Sequence, residues 1–180
     1  KLNKISYREA IELAFYGASV IHPKTLQPLQ RKEIPLFVKP FEDPLKDGTS
    51  VSKGISIDPN VPCYILKSNQ VLLKMTSKDF SFIVEENISE IFYLLHKYQM
   101  KVELIQNSAI SFSVCVNNKY DRLDELISVL KLKYKLKVYK NVELYTIRHF
   151  NKESIKLLNK FKGKIILEQR TEKILQVVKA

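Results

Sequence analysis

Between Val71 and Tyr139 two kinds of apolar pattern alternate in a fixed order, and that order restricts the fold more than any other feature of the chain. Val71–Met75 is a short apolar run of strand type. Asn87 then stands where a helix N-cap belongs, Glu90 lies at the capping-box offset, and Ile88, Ile91, Phe92 and Leu95 recur at helical spacing. Val102–Gln106 and Ile110–Val116 read as strands joined by Asn107-Ser108-Ala109. In the second of them Phe112, Val114 and Val116 alternate with Ser111, Ser113 and Cys115, so one side is expected to be buried. Asp121–Leu132 is a second amphipathic helix, with Leu123, Leu126, Ile127 and Leu130 on one face, and Leu136–Tyr139 closes the set. Strand-helix-strand-strand-helix-strand is the order of an α+β, ferredoxin-like plait, with helices on one side of an antiparallel sheet.

The flanks repeat the theme. Val61–Leu66 reads as a separate strand, divided from Val71–Met75 by Lys67-Ser68-Asn69-Gln70. After the plait, Val142–Arg148 is a strand, and Asn151 caps a helix whose Ile155, Leu158 and Phe161 are expected to face inward. Gly163 should end that helix, and Lys164–Glu168 and Lys173–Val178 follow as strands. This second unit has no closing helix in the sequence.

The stretch from Ser6 to Thr49 has a different character. Ser6 and Glu9 form a capping-box signature, and Tyr7, Ile11, Ala14, Phe15 and Ala18 give one apolar face, with Gly17 where the helix should stop. His22 and Pro23 open a short helix through Gln30, since proline is tolerated in a first turn. Ile34–Val38 reads as a buried strand, and Lys39-Pro40, Asp43-Pro44 and Asp47-Gly48 mark a loop leading away.

Composition narrows the class. With 45% hydrophobic and 27% charged residues over 180 positions, the chain is globular and long enough for one domain or two small ones. It begins at Lys1 without a signal-peptide pattern, and is expected to be a piece of a longer protein. No apolar run reaches the ~20 residues of a membrane span, so no membrane partner is expected. Cys63 and Cys115 fall in strands without metal-like spacing and read as buried thiols of a reducing cytoplasm.

The net charge of +11 raises the question of nucleic acid. Its densest run places Lys131, Lys133, Lys135 and Lys137 in alternation with Leu132, Tyr134, Leu136 and Val138. Arginine is scarce and no nucleic-acid signature accompanies the run, so it reads as a solvated face and no nucleic-acid partner is expected.

Catalytic and metal chemistry find little footing. His22, His96 and His149 stand far apart without paired ligands, so no metal site is expected. Gly17, Gly48, Gly54 and Gly163 do not cluster into a phosphate-binding loop, and no catalytic residue is assigned.

The residues SYREAIELAFYGASVIHPKTLQP, then IPLFVK, then P…GT resemble the end of the catalytic domain of aspartate kinase and its exit into the regulatory region. The later plait resembles an ACT domain, the amino-acid-sensing module that follows in that family. The resemblance implies three parts: a kinase-domain tail and linker over 1–49, a first ACT unit over 50–141 with its core at 70–141, and a truncated second unit over 142–180. Strand 61–68 is expected to be lent to the second unit, which interlocks the two. It also implies a parent enzyme that phosphorylates the side-chain carboxylate of aspartate with ATP and Mg²⁺, in the cytoplasm, on the route to lysine, threonine and methionine. The nucleotide and aspartate sites of that family lie in an amino-terminal half that this sequence does not contain. This chain is therefore expected to hold no cofactor and to be inactive alone. A free-standing amino-acid-binding regulator is the alternative reading.

A sensing site is expected at the start of the first plait's first helix, where free amides and the helix dipole near Asn87 can hold a carboxylate. In the resembling family the segment after that helix lines the pocket. The matching residues here are Glu103, expected to pair with an effector's ammonium, and Asn107 and Ser108. The loop residues Ser77, Phe80 and Ser81 complete the expected effector-binding set. Lysine is the first expected effector and threonine the second. Glu103→Ala is expected to weaken binding with little loss of stability. Expected partners are the amino-terminal kinase domain and a second copy of the chain, paired through an open sheet edge near Ile110, Phe112 and Val114.

Overall fold

A computed structural model describes residues 1–18, 20–54 and 57–180. The elements in chain order are β1 (Lys4–Ser6), α1 (Tyr7–Tyr16), α2 (Pro23–Arg31), β2 (Leu36–Val38), β3 (Thr49–Ser52), β4 (Ile57–Asp58), β5 (Cys63–Ser77), α3 (Glu85–Lys97), β6 (Lys101–Asn107), β7 (Ser111–Asn117), α4 (Leu123–Lys133), β8 (Tyr134–Arg148), α5 (Lys152–Lys160), β9 (Ile165–Arg170) and β10 (Ile174–Lys179). They form two compact units, one of residues 1–66, 146–162 and 170–175, the other of residues 67–145, 163–169 and 176–180.

In the first unit a small sheet runs in the order β2-β3-β1-β4, with β1 parallel to β3 and the other pairs antiparallel. The three-residue β1 and the two-residue β4 are too short to show a periodicity, and none of β1, β3 and β4 is anticipated by the pattern. Ser6 caps α1 as expected, its Oγ accepting from Glu9 N at 3.1 Å. Gly17 ends the helix at φ 119°, a left-handed conformation that favours glycine. Gly48 is required for a different reason: a Cβ there would lie 2.1 Å from Val38 O. The buried arc of α1 runs through Tyr7, Glu9, Ala10 and Leu13, and Phe15 is 66% exposed. The expected apolar face is thus turned toward Glu9, whose carboxylate is held in the interior, and Phe15 falls outside it. Tyr7, Ala10, Ile5, Leu26, Val51 and Ile57 make the core of this unit. His22 caps α2 through Nδ1, with Pro23 in the first turn.

In α5 the Asn151 side chain accepts from Ser154 N while Ser154 Oγ accepts from Asn151 N, each at 2.8 Å. Leu158 is buried as expected, whereas the helix ends at Lys160 and Phe161 is 41% exposed.

The larger sheet has the order β6-β7-β5-β8-β10-β9. Its first four strands, with α3 and α4, are the βαββαβ plait that the pattern predicts. The strands β8, β9 and β10, read together with β5, repeat the same spatial strand order with α5 as their one helix, so β5 and β8 serve two ferredoxin-like, ACT-type sets. The breaks expected at Lys67–Gln70 and before Val142 are not strand ends. Asn69 and Asn141 take left-handed φ angles of 56° inside strands of 15 residues each. Asparagine tolerates that region, so the strands kink and continue.

One face of the plait buries Leu73, Met75, Phe112 and Val114 against Ile91 and Leu95 of α3 and Leu126 and Leu130 of α4. The other face of β7 is buried too. Leu72, Leu104 and Cys115 pack in one cluster with Val142, Leu144, Leu167 and Val178, which corrects the expectation of a one-sided strand. Burial, and then the charge of Glu103, pushes the Cys115 thiol up to about 12. Fully burying one such leucine is worth about 1.5–3 kcal/mol, so both clusters matter to stability.

Candidate functional site

The chain from the end of β5 into α3 makes a cleft of about 300 Å³. Ser77 ends β5, and the loop Lys78–Ile83 turns through Phe80 at a left-handed φ of 62°. Ser77 N donates to Ile110 O and Ile83 N to Ala109 O, at 3.2 and 2.8 Å, so the β6–β7 turn anchors this loop at both ends. α3 starts at Glu85 with Val84 in the N-cap position, where no side chain caps the first-turn amides. Asn87, expected as the cap, is the third helical residue, and its Oδ1 accepts from Val84 N at 3.0 Å. The wall opposite is Lys133 at the end of α4 and Tyr134 at the start of β8.

The lining carries both signs of charge. Ser81 donates to Asp79 Oδ1 from its hydroxyl at 2.7 Å and its amide at 3.1 Å, which holds that exposed carboxyl below the usual range. Lys133 Nζ pairs with Glu90 at 2.5 Å. Two hydroxyls, Ser77 Oγ and Tyr134 OH, are buried; Ser77 Oγ has no hydrogen-bond partner, and Asn87 is the side chain within reach of Tyr134 OH. Burial, then the charge of Glu90, raises the Tyr134 phenol, with Asn87 and Lys133 acting the other way. Buried hydroxyls without partners cost about 1–3 kcal/mol each, which makes this a place where a polar ligand would be stabilising. The cleft pairs donors with acceptors, and no histidine or cysteine lines it.

Of the expected residues, Ser77, Ser81 and Asn87 come together here. Phe80 lies beside them, 74% exposed, with Lys135 Nζ 5.4 Å above its ring. Asn107 ends β6 and Ser108 opens the turn that holds the loop. Glu103 has another occupation. It stands where the β6–β7 register shifts, its side chain 6% exposed, paired with Lys67 and with Lys101 Nζ at 3.1 Å. Removing it would strand Lys67, so Glu103→Ala carries a stability cost that the sequence reading did not anticipate. Asp79, Glu90, Lys133 and Tyr134 were not anticipated as lining residues. Tyr134 sits in the lysine-rich run, whose alternation reads as a solvated face; Lys131, Lys133, Lys135 and Lys137 are exposed, while Tyr134 turns inward.

No family model matches the sequence. Among curated proteins, lysine-sensitive aspartokinase 3 of Escherichia coli K12 is 32% identical over 117 residues, 65% of this chain and 26% of that protein. Aspartokinase of Chlamydia pneumoniae is 28% identical over 171 residues, 92% of this chain and 38% of its own length. Aspartokinase of Saccharomyces cerevisiae is 27% identical over 164 residues, 79% of this chain and 31% of its own length. The chain thus spans about a quarter to two fifths of these relatives. The structure of E. coli aspartokinase III in complex with lysine and aspartate superposes with a TM-score of 0.77 at 26% identity, over 99% of this chain and 42% of that one. Clostridium acetobutylicum aspartate kinase shares the fold, with a TM-score of 0.81 at 20% identity over 98% of this chain and 45% of that one.

Proposed function

We propose that this chain is the carboxy-terminal regulatory part of an aspartokinase, the part of its relatives that it matches, and that it senses an end-product amino acid for an aspartate-phosphorylating kinase. The ligand is lysine first and threonine second. The lysine-sensitive relative and the lysine-bound E. coli structure support that order. The observation that carries the reading is the pair of buried hydroxyls, Ser77 and Tyr134, beside the uncapped start of α3.

In this reading the effector's carboxylate meets the first-turn amides of α3, helped by the helix dipole, and its ammonium groups meet Asp79 and Glu90. Ser81 and Asn87 line the same space, with Phe80 and the Asn107–Ser108 turn at its edge. A second copy of the chain completes the site. Binding regulates a kinase only if the effector distinguishes two states of it. In this reading ATP and Mg²⁺ belong to the parent kinase's amino-terminal part and not to these residues.

Calorimetric titration with lysine and threonine tests the proposal. Wild type should bind one of them, and Tyr134→Phe should lose about 0.5–1.5 kcal/mol of affinity, the worth of one hydrogen bond. If neither amino acid binds the wild type, the sensing role is gone. Unchanged affinity in Tyr134→Phe would remove this cleft from it.

A further inference from the structure

A larger cleft, of about 570 Å³, lies in the first unit beside the end of β8, and Glu9, Glu12, Arg148, His149 and Lys173 are among its lining residues. Arg148 is the last residue of β8. Its Nε and Nη2 each donate to the Glu9 carboxylate at 2.8 Å, a parallel two-pronged contact, and its Nη1 donates to Glu12 Oε2 at 3.0 Å. His149 follows at a left-handed φ of 54°, with Nε2 3.0 Å from Glu9 Oε1, a close contact outside directed hydrogen-bond geometry. The Glu9 and Arg148 side chains are 6% and 7% exposed, whereas Glu12 is 33% exposed.

Burial works to raise the Glu9 carboxyl, but its hydrogen bonds with Arg148 and the close approach of His149 more than offset this and hold it below the usual range. The arrangement is that of a receptor for a carboxylate. A guanidinium fork matches the two oxygens of one carboxylate, and a second basic group stands on its flank. The fold of α1 does not itself ask for an acid there, since the neighbouring buried positions are Tyr7, Ala10 and Leu13. The strand order adds an independent point. In the strand order, the end of β8 holds in the second set the place that the end of β5 holds in the first, and the cleft of Ser77 and α3 adjoins that end.

We infer that the end of β8 is a carboxylate-binding site and that Glu9 of α1 is its tethered ligand. The site takes a small free monocarboxylate when the tethered one is removed, and α1 is held in place through this ligand. The inference stands on the geometry of these residues and holds whether or not the cleft beside α3 binds an amino acid.

Glu9→Ala removes the tethered carboxylate and leaves the Arg148 fork facing the cleft. Thermal unfolding of this variant is followed in sodium acetate and in sodium chloride at matched ionic strength and pH. In chloride its midpoint should lie below that of wild type. Adding acetate should raise it with the logarithm of acetate concentration, as for a ligand that binds the native state alone. The wild type, whose site is filled, and Glu9→Ala/Arg148→Met, whose fork is gone, should show no such rise. Amide exchange across residues 10–16 should quicken on the order of a hundredfold in the single variant in chloride, the scale of breaking a buried pair, and slow again in acetate. Acetate acting no better than chloride, or acting equally on the double variant, overturns the inference. Should Glu9→Ala yield no folded protein in chloride, refolding in the two salts is the reading: recovery in acetate alone supports the site, and recovery in neither refutes it.

Discussion

Glu9 occupies a position on α1 where the helical repeat would place an apolar side chain, and its ionised form is favoured by folding. Its carboxyl lies below the ordinary value of 4.5 in the folded chain, so the stabilisation it gives is present above that value and is lost as pH falls through the depressed folded value. Glu9→Gln should therefore cost on the order of 3 kcal/mol near neutral pH, as expected for breaking a buried pair, and the loss should shrink in acid. Urea unfolding of both proteins from about pH 7 downward checks this; parallel pH profiles would remove Glu9 from the acid response. The sequence pointed to Glu9 as a capping-box acid. Ser6 does cap Glu9 N, but the carboxylate turns to Arg148, 139 residues away in sequence. No local pattern announces a partner at that separation.

At the scale of the element, α3 begins three residues earlier than its pattern indicates. Ile83 is buried and its amide is fixed to Ala109 O, which sets the entry of the helix and leaves Val84 as a cap without an acceptor. Val84→Asp should stabilise the chain by about 0.5–2 kcal/mol, since Val84 is 42% exposed and loses little burial. The same carboxylate would occupy the amides assigned to an effector, so affinity should fall while the melting temperature rises. Both moving together in calorimetry and thermal scans would argue against those amides as the effector's donors. The helices and the plait's strand order were legible because each rests on a period of 3.6 or 2 over enough residues. The kinks at Asn69 and Asn141 were visible only as interruptions, since a left-handed asparagine and a loop look alike in sequence. Tyr134 was hidden for a related reason: its alternation with lysines is what a solvated strand also shows.

For the whole molecule, the sheet ends in β6 on one side and β9 on the other. Phe112 and Val114, expected beside an open edge, are buried on interior strand β7, because β6 pairs along it. Beside the cleft of α3, Phe80 and Phe82 are left in water instead, at 74% and 71% exposure. Such groups around a cleft mark a surface for association. Sedimentation equilibrium on the order of tens of micromolar, where modest interfaces form, should show a self-associating chain, and Phe82→Ser should weaken it; a wild type that stays monomeric would set the idea aside. The two 15-residue strands carry a further meaning. A repeat that owns all its strands can be copied, moved or deleted by a single genetic event. Here β5 and β8 each complete both repeats, so an excision at any one point leaves the survivor lacking a strand. Descent must carry this pair as one heritable cassette, and the two repeats can diverge in sequence but not part company.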